Sequence, residues 1–159
     1  MAEQKRGRRI ALTPEERDAY LRGQRTCRVG STGPDGKPHV SALWYVWDGT
    51  ALWLNSLSNS QRWANLMRAP QVSVLIDSGE GYLELKGVEL VGTVEVVGEV
   101  PRTAAPNAEL AEPERLFGEK YAGGTFTPDG AHAWLRLVPD KVLSWDFAKI
   151  AAARTKAGS

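Results

Sequence analysis

The residues best suited to chemistry lie in one stretch, Asn55-Ser56-Leu57-Ser58-Asn59-Ser60-Gln61-Arg62-Trp63. Before it, Leu52 and Leu54 alternate as in a strand; after it, Trp63, Leu66 and Met67 recur at helical spacing, with Pro70 as a stop. The stretch therefore reads as strand, polar loop, helix. A helix N-terminus offers free backbone N–H groups at the positive end of its dipole, a natural place for an anion such as a phosphate. Arg62 would add a bidentate fork, and Ser58 or Ser60 a hydroxyl donor. The same residues have a plainer use, in which a serine caps the helix and Arg62 stands in solvent. Spacing alone leaves both uses open.

Little else in the chain competes. His39 and His132 are the only histidines and neither sits in a metal-ligand spacing, so no metal site is expected. No Gly-x-Ser-x-Gly elbow, P-loop or Gly-x-Gly-x-x-Gly fingerprint occurs. The single cysteine, Cys27, excludes an internal disulfide and suits a reducing compartment. The formal net charge of +1 gives no global field for nucleic acid or an anionic membrane, so an anionic partner must be small and caught by a local cluster. The basic start Lys5-Arg6-Gly7-Arg8-Arg9 lacks the apolar core of a signal peptide, and no apolar run reaches membrane-spanning length. A cytoplasmic location is expected.

The elements that must position the loop follow from periodicity. Thr13-Pro14-Glu15-Glu16 has the form of a capping box and opens a helix over 14–22. From residue 24 to 98 the period is two, giving six candidate strands: Cys27 and Val29; Val40 to Val46; Leu52 and Leu54; Val72 to Ile76; Leu83 and Leu85; Val88 to Val96. Pro34-Asp35-Gly36-Lys37 and Asp48-Gly49 mark turns between the first of them. A helix over 108–121 and strands over 133–138 and 142–147 follow. Residues 1–12 read as a basic arm, 13–149 as one domain and 150–159 as a flexible tail.

Many short strands with few helices point to a mainly β protein, a barrel that leaves no edge exposed. The strand through residues 40–47 is apolar on both faces, Val40, Ala42, Trp44 and Val46 on one and Leu43, Tyr45 and Trp47 on the other. A partner subunit, a flat aromatic ligand or an overlying helix of the same chain would cover the second face.

The strand with Asn55-Ser56, the loop to Ser60-Gln61-Arg62, the helix, and then Pro70-Gln71-Val72-Ser73-Val74 resemble the pyridoxamine 5′-phosphate oxidase-like split barrels. Pro139-Asp140-Lys141-Val142-Leu143-Ser144-Trp145 is similar to that superfamily's last strand, which ends in a tryptophan. The resemblance implies an FMN-binding type of split β-barrel, working as a homodimer. It implies that Arg62 binds the cofactor phosphate with Ser60 beside it, and that Gln61 replaces a second basic residue. Asn55 and Ser56 would lie near the ribityl chain and phosphate. Val40, Ala42, Trp44 and Tyr45 would line the ring, Lys86 would point toward it, and Trp145 would reach it from the other subunit.

The arginine- and histidine-rich segment that grips the vitamin substrate in the founding oxidase is replaced here by Asp146-Phe147-Ala148-Lys149-Ile150. Ser60-Gln61-Arg62-Trp63-Ala64-Asn65-Leu66 and Ser144-Trp145-Asp146-Phe147 look most like the flavin/deazaflavin oxidoreductases of the B group. That likeness implies a reductase using the deazaflavin coenzyme F-420, which transfers a hydride to a small electron-poor acceptor, with Tyr45 and Lys86 as candidate proton sources. FMN is the alternative cofactor, and a non-catalytic flavin-, deazaflavin- or haem-binding protein the alternative role. The negative charges of the deazaflavin tail would need cations from Lys5, Arg6, Arg8 and Arg9 or from Arg22, Arg25 and Arg28.

Overall fold

The computed structural model describes residues 2–158. Met1 and Ser159, the outer ends of the expected arm and tail, lie outside the described residues. Period-two segments become the strands β1 (Thr26–Thr32), β2 (Pro38–Trp47), β3 (Leu52–Leu57), β4 (Gln71–Ser78), β5 (Lys86–Val97), β6 (His132–Leu137) and β7 (Lys141–Asp146). The helices are α1 (Pro14–Gly23), α2 (Gln61–Arg68), α3 (Ala111–Tyr121) and α4 (Ala148–Ala157).

Every strand ladder is antiparallel, and six strands close a ring in the order β1, β2, β3, β6, β5, β4 and back to β1. The split arises at β5, which is too long for one partner on that side. Its first half, Lys86 to Val91, pairs with β7, and its second half, Val94 to Val97, pairs with β6. The protein is thus mainly β and closed into a barrel, as the alternation predicts, and the barrel is split, as the resemblance implies. β2 and β5 are three strands apart either way round the ring, so they face each other across the barrel.

Inward residues fill the barrel, among them Cys27, Val29, Tyr45, Trp47, Leu52, Leu54, Val74, Ile76, Val88, Leu90, Leu135 and Leu137. Burial pushes the Cys27 thiol up to about 12, so it is a packing residue and not a nucleophile. A second apolar cluster lies outside the barrel, where Leu116, Phe117 and Tyr121 of α3, with Phe126, pack on Val46, Trp53 and Trp134. The overlying helix therefore covers one end of the outer face of β2 and leaves Val40 and Ala42 exposed.

Caps and turns behave as their chemistry dictates. Thr13 Oγ1 accepts from Glu16 N and Glu16 Oε1 accepts from Thr13 N, completing the capping box of α1. Three expectations are corrected. Leu83 and Leu85 form no strand: residues Tyr82–Glu84 make a 3-10 turn in which Gly81 N donates to Glu84 Oε2, and Leu83 has no core to face. The expected tail at 150–159 carries most of α4, pinned at its start by Lys149 Nζ, which donates to Ala11 O (2.9 Å) and Glu16 Oε1 (2.7 Å). That bond holds the Glu16 carboxyl down at about 2. Met67 is 46% exposed, and the buried face of α2 is instead Arg62, Trp63, Asn65 and Leu66, because α2 plugs a barrel end lined by serines.

Candidate functional site

At that barrel end the polar residues converge. Ser60 is the N-cap of α2, its Oγ accepting from Trp63 N and donating to Leu57 O. Ser58 Oγ donates to Ala131 O, tying the loop to the approach to β6. Arg62 is buried at 7% exposure, which overturns the solvated alternative. Its Nε donates to Ser56 Oγ (3.1 Å) and its Nη1 to Ser41 Oγ (2.7 Å). Asn65 Nδ2 donates to Ser31 Oγ (3.1 Å), and Gln61 Nε2 to Asn65 Oδ1 (2.8 Å).

Among the described residues no carboxylate pairs with Arg62, and burial pulls its pKa down. Its Nη2 carries no bond within the described residues, yet it is not among the buried unpartnered nitrogens, so it keeps an opening to solvent. A desolvated cation with a free, reachable donor is a site for an anion. Ser41, Ser31 and Asn65 were missed at the sequence level, although Ser31 and Ser41 fall on the inward register of β1 and β2.

Strand pleating separates residues that the resemblance groups together. Ser56 points inward to Arg62, whereas its neighbour Asn55 points outward and lines a cavity of about 180 Å³ with Trp44, Arg102, Phe117, Phe126, Thr127, Pro128, Asp129 and His132. Tyr45 likewise turns away from Trp44. It is fully buried, its hydroxyl donates to Leu21 O (2.6 Å), and burial pushes its pKa up, so Tyr45 is neither a ring contact nor a proton source. Val40, Ala42 and Trp44 do form one outward apolar stripe, with Val40 68% and Trp44 47% exposed. Trp44 stacks on Tyr121 at 4.4 Å and 9°.

Cations gather at the Trp44 end. Lys120 Nζ lies 5.3 Å and the Arg25 guanidinium 4.9 Å from the Tyr121 ring, and neither meets a carboxylate among the described residues. Burial, with Arg25 nearby, pulls Lys120 down to about 8. Arg22 and Arg28 are committed to Asp18 and Asp77. The basic arm lies elsewhere: Gln4 exchanges hydrogen bonds with the Ser144 backbone, which lays residues 2–8 along β7. Lys86 is also on that side, 4.0 Å from Asp146, and the Trp145 ring covers Gly87. Within one chain, Lys86 and Trp145 are therefore across the barrel from β2 and Arg62.

Residues 13–146 match the protein family described as pyridoxamine 5′-phosphate oxidase. A solved structure of a conserved hypothetical protein from Mycobacterium tuberculosis is 30% identical, with a TM-score of 0.77 and 93% of each chain covered. The haem storage protein HutZ from Vibrio cholerae is 17% identical (TM-score 0.66; 86% of this chain and 96% of that one), and an F-420 reductase is 20% identical (TM-score 0.57; 79% and 94%). At those identities the last two speak for the fold alone. No curated protein matches the chain. No described helix is long and apolar enough to cross a membrane. A closed six-stranded ring with its split at β5, matched by sequence over nearly its whole length, places the chain in the pyridoxamine 5′-phosphate oxidase-like split-barrel family.

Proposed function

We propose that the chain is a homodimeric reductase that binds the deazaflavin coenzyme F-420 and uses it to reduce an electron-poor double bond or conjugated ring of a small molecule. The observation that carries the reading is Arg62, buried without a carboxylate and with Nη2 open, at the second residue of α2. A phosphate would supply the missing negative charge, with Ser60 and Gln61 at the same helix end. The apolar stripe Val40, Ala42 and Trp44 offers a flat bed for a ring system, and a second chain would bring Lys86 and Trp145 to it. When bound, the cofactor supplies the hydride. The protein orients the ring, keeps one face open to the acceptor and excludes water. Arg25 and Lys120 hold positive charge at the Trp44 end, where they would stabilise negative charge on a bound ring system or acceptor.

A haem-binding role is favoured by one feature, His132 Nδ1 at 2.5 Å from Asp129 Oδ2, the arrangement that orients an imidazole for a metal. Absorbance of the protein titrated with haemin, FMN and the deazaflavin separates the three.

The decisive variant is Arg62→Ala. It should weaken deazaflavin and FMN binding by about ten- to a hundredfold, the worth of a charge-assisted contact, with Arg62→Lys losing less. Arg62→Met controls for folding: removing a buried, uncompensated charge should leave the cofactor-free melting temperature unchanged or raised while binding is lost. Deleting residues 1–9 should weaken the deazaflavin alone if a partner's arm holds its tail. Wild-type affinity in folded Arg62→Ala would overturn the phosphate site.

A further inference from the structure

The cavity that holds Asn55 is built of aromatic walls and has unspent hydrogen-bonding capacity. Trp44 and Asn55 come from the barrel, Phe117 from α3, Phe126 to Asp129 from the segment before β6, and His132 from the first position of β6. Asn55 Nδ2 is buried and has no acceptor among the described residues. Directly opposite in the β3–β6 register stands Trp134, whose ring packs on Phe117 and Phe126 at 5.7 Å each and whose Nε1 is also buried and unpartnered. A buried N–H left without an acceptor is destabilising, and native folds seldom leave one so. Two buried donors, on residues paired across the β3–β6 ladder, lack an oxygen.

We infer that this cavity is the acceptor subsite, and that it takes a single six-membered aromatic or conjugated ring bearing one oxygen acceptor, a carbonyl or a nitro group, to which Asn55 Nδ2 donates. Size supports the choice. A cavity of about 150 Å³ accommodates benzene, whereas sites for larger ligands run to roughly 300 Å³ and more. At about 180 Å³, one substituted ring fits and a three-ring deazaflavin does not, so the cofactor remains on the open stripe beside Trp44. Phe117 and Phe126, with centroids 5.6 Å apart at 89°, present both a face and an edge to such a ring. Ordered water is the competing occupant. Calling the pocket an acceptor subsite rests on the reductase reading, but binding to it does not require the cofactor.

The test uses the cofactor-free full chain labelled with ¹⁵N and two probes with the same carbon skeleton, acetophenone and ethylbenzene, of which only the first has an oxygen acceptor. The Asn55 side-chain amide and Trp134 indole signals, assigned with Asn55→Asp and Trp134→Phe, report occupancy. Acetophenone should bind about fivefold or more tightly than ethylbenzene, the worth of one net hydrogen bond, and should shift both signals. Asn55→Asp should remove that preference and leave ethylbenzene binding unchanged. Phe126→Trp should fill the space and abolish both probes while the chain still melts cooperatively. Equal affinity for the two probes, or no binding of either, overturns the subsite. Selective acetophenone binding by a protein that binds neither deazaflavin nor FMN upholds the ring site and overturns the reductase reading instead.

Discussion

Arg62 and Lys120 are both partly desolvated cations that meet no carboxylate among the described residues, and they differ in what their chemistry allows. An arginine keeps its proton at any accessible pH, so Arg62 has to be met by an anion or by hydroxyls. A lysine can give its proton up, and burial brings Lys120 down to about 8. Because the folded value lies below the unfolded one, the folded state bears the cost of a buried charge at neutral pH, where both states are protonated. Between about pH 8 and 10.5 the unfolded chain binds more protons, so this contribution to stability rises with pH over that window. Lys120→Met should raise stability at pH 7 by about 1 to 2 kcal/mol, discounted for partial solvent access, and the gain should shrink by pH 10. Melting curves of wild type and variant that run parallel from pH 7 to 10 would show that Lys120 carries no such cost.

Among the elements, β5 decides the architecture, because one strand pairs with β4 along one side and with both β7 and β6 along the other. Gly87 is what lets β7 end as it does. A Cβ there would lie 2.4 Å from Trp145 Cζ2, so the absence of a side chain makes the space into which the indole lies. Gly87→Ala should displace the Trp145 ring, shift tryptophan fluorescence to the red and destabilise the chain by about 1 to 3 kcal/mol. If Trp145 completes the cofactor site of a second chain, the same variant should weaken cofactor binding although Gly87 faces no ligand. Unchanged fluorescence and affinity would show that the ring has room to move. By the same logic α2 is a plug: its polar buried face exists because Ser31, Ser41 and Ser56 line the opening it closes.

For the whole molecule, the outward stripe of Val40, Ala42 and Trp44 is the feature a single chain leaves unresolved. α3 covers its Val46 end and stacks Tyr121 on Trp44, and among the described residues Val40 and Ala42 stay exposed. An exposed apolar strip on the strand that holds Ser41 against Arg62, with Lys86 and Trp145 on the opposite wall of the barrel, would suit a two-chain assembly in which each subunit completes the other's proposed site. Sedimentation at micromolar concentration should give twice the chain mass, and Val40→Lys should shift it toward the monomer without lowering the cooperativity of unfolding. A wild-type chain that sediments as a monomer would remove the dimer and with it any role for Trp145 in cofactor binding.

Much of this was legible in the order of residues. Alternation gave the strands, the Thr13-Pro14-Glu15-Glu16 box gave the start of α1, and Ser60 before Gln61-Arg62 gave the cap of α2, because these signals depend on neighbours within a turn or two of chain. The split of Asn55 from Ser56 and of Trp44 from Tyr45 was also implicit, since successive residues of a strand face opposite ways. What local pattern does not carry is closure. Only the closed ring turns Arg62 from a solvated helix residue into a buried cation, sets β2 and β5 on opposite walls, and folds α3 and the segment before β6 over Asn55 to make a cavity. Burial and the loss of hydrogen-bond partners are properties of groups brought together from distant parts of the chain, so they arise only when the tertiary structure forms.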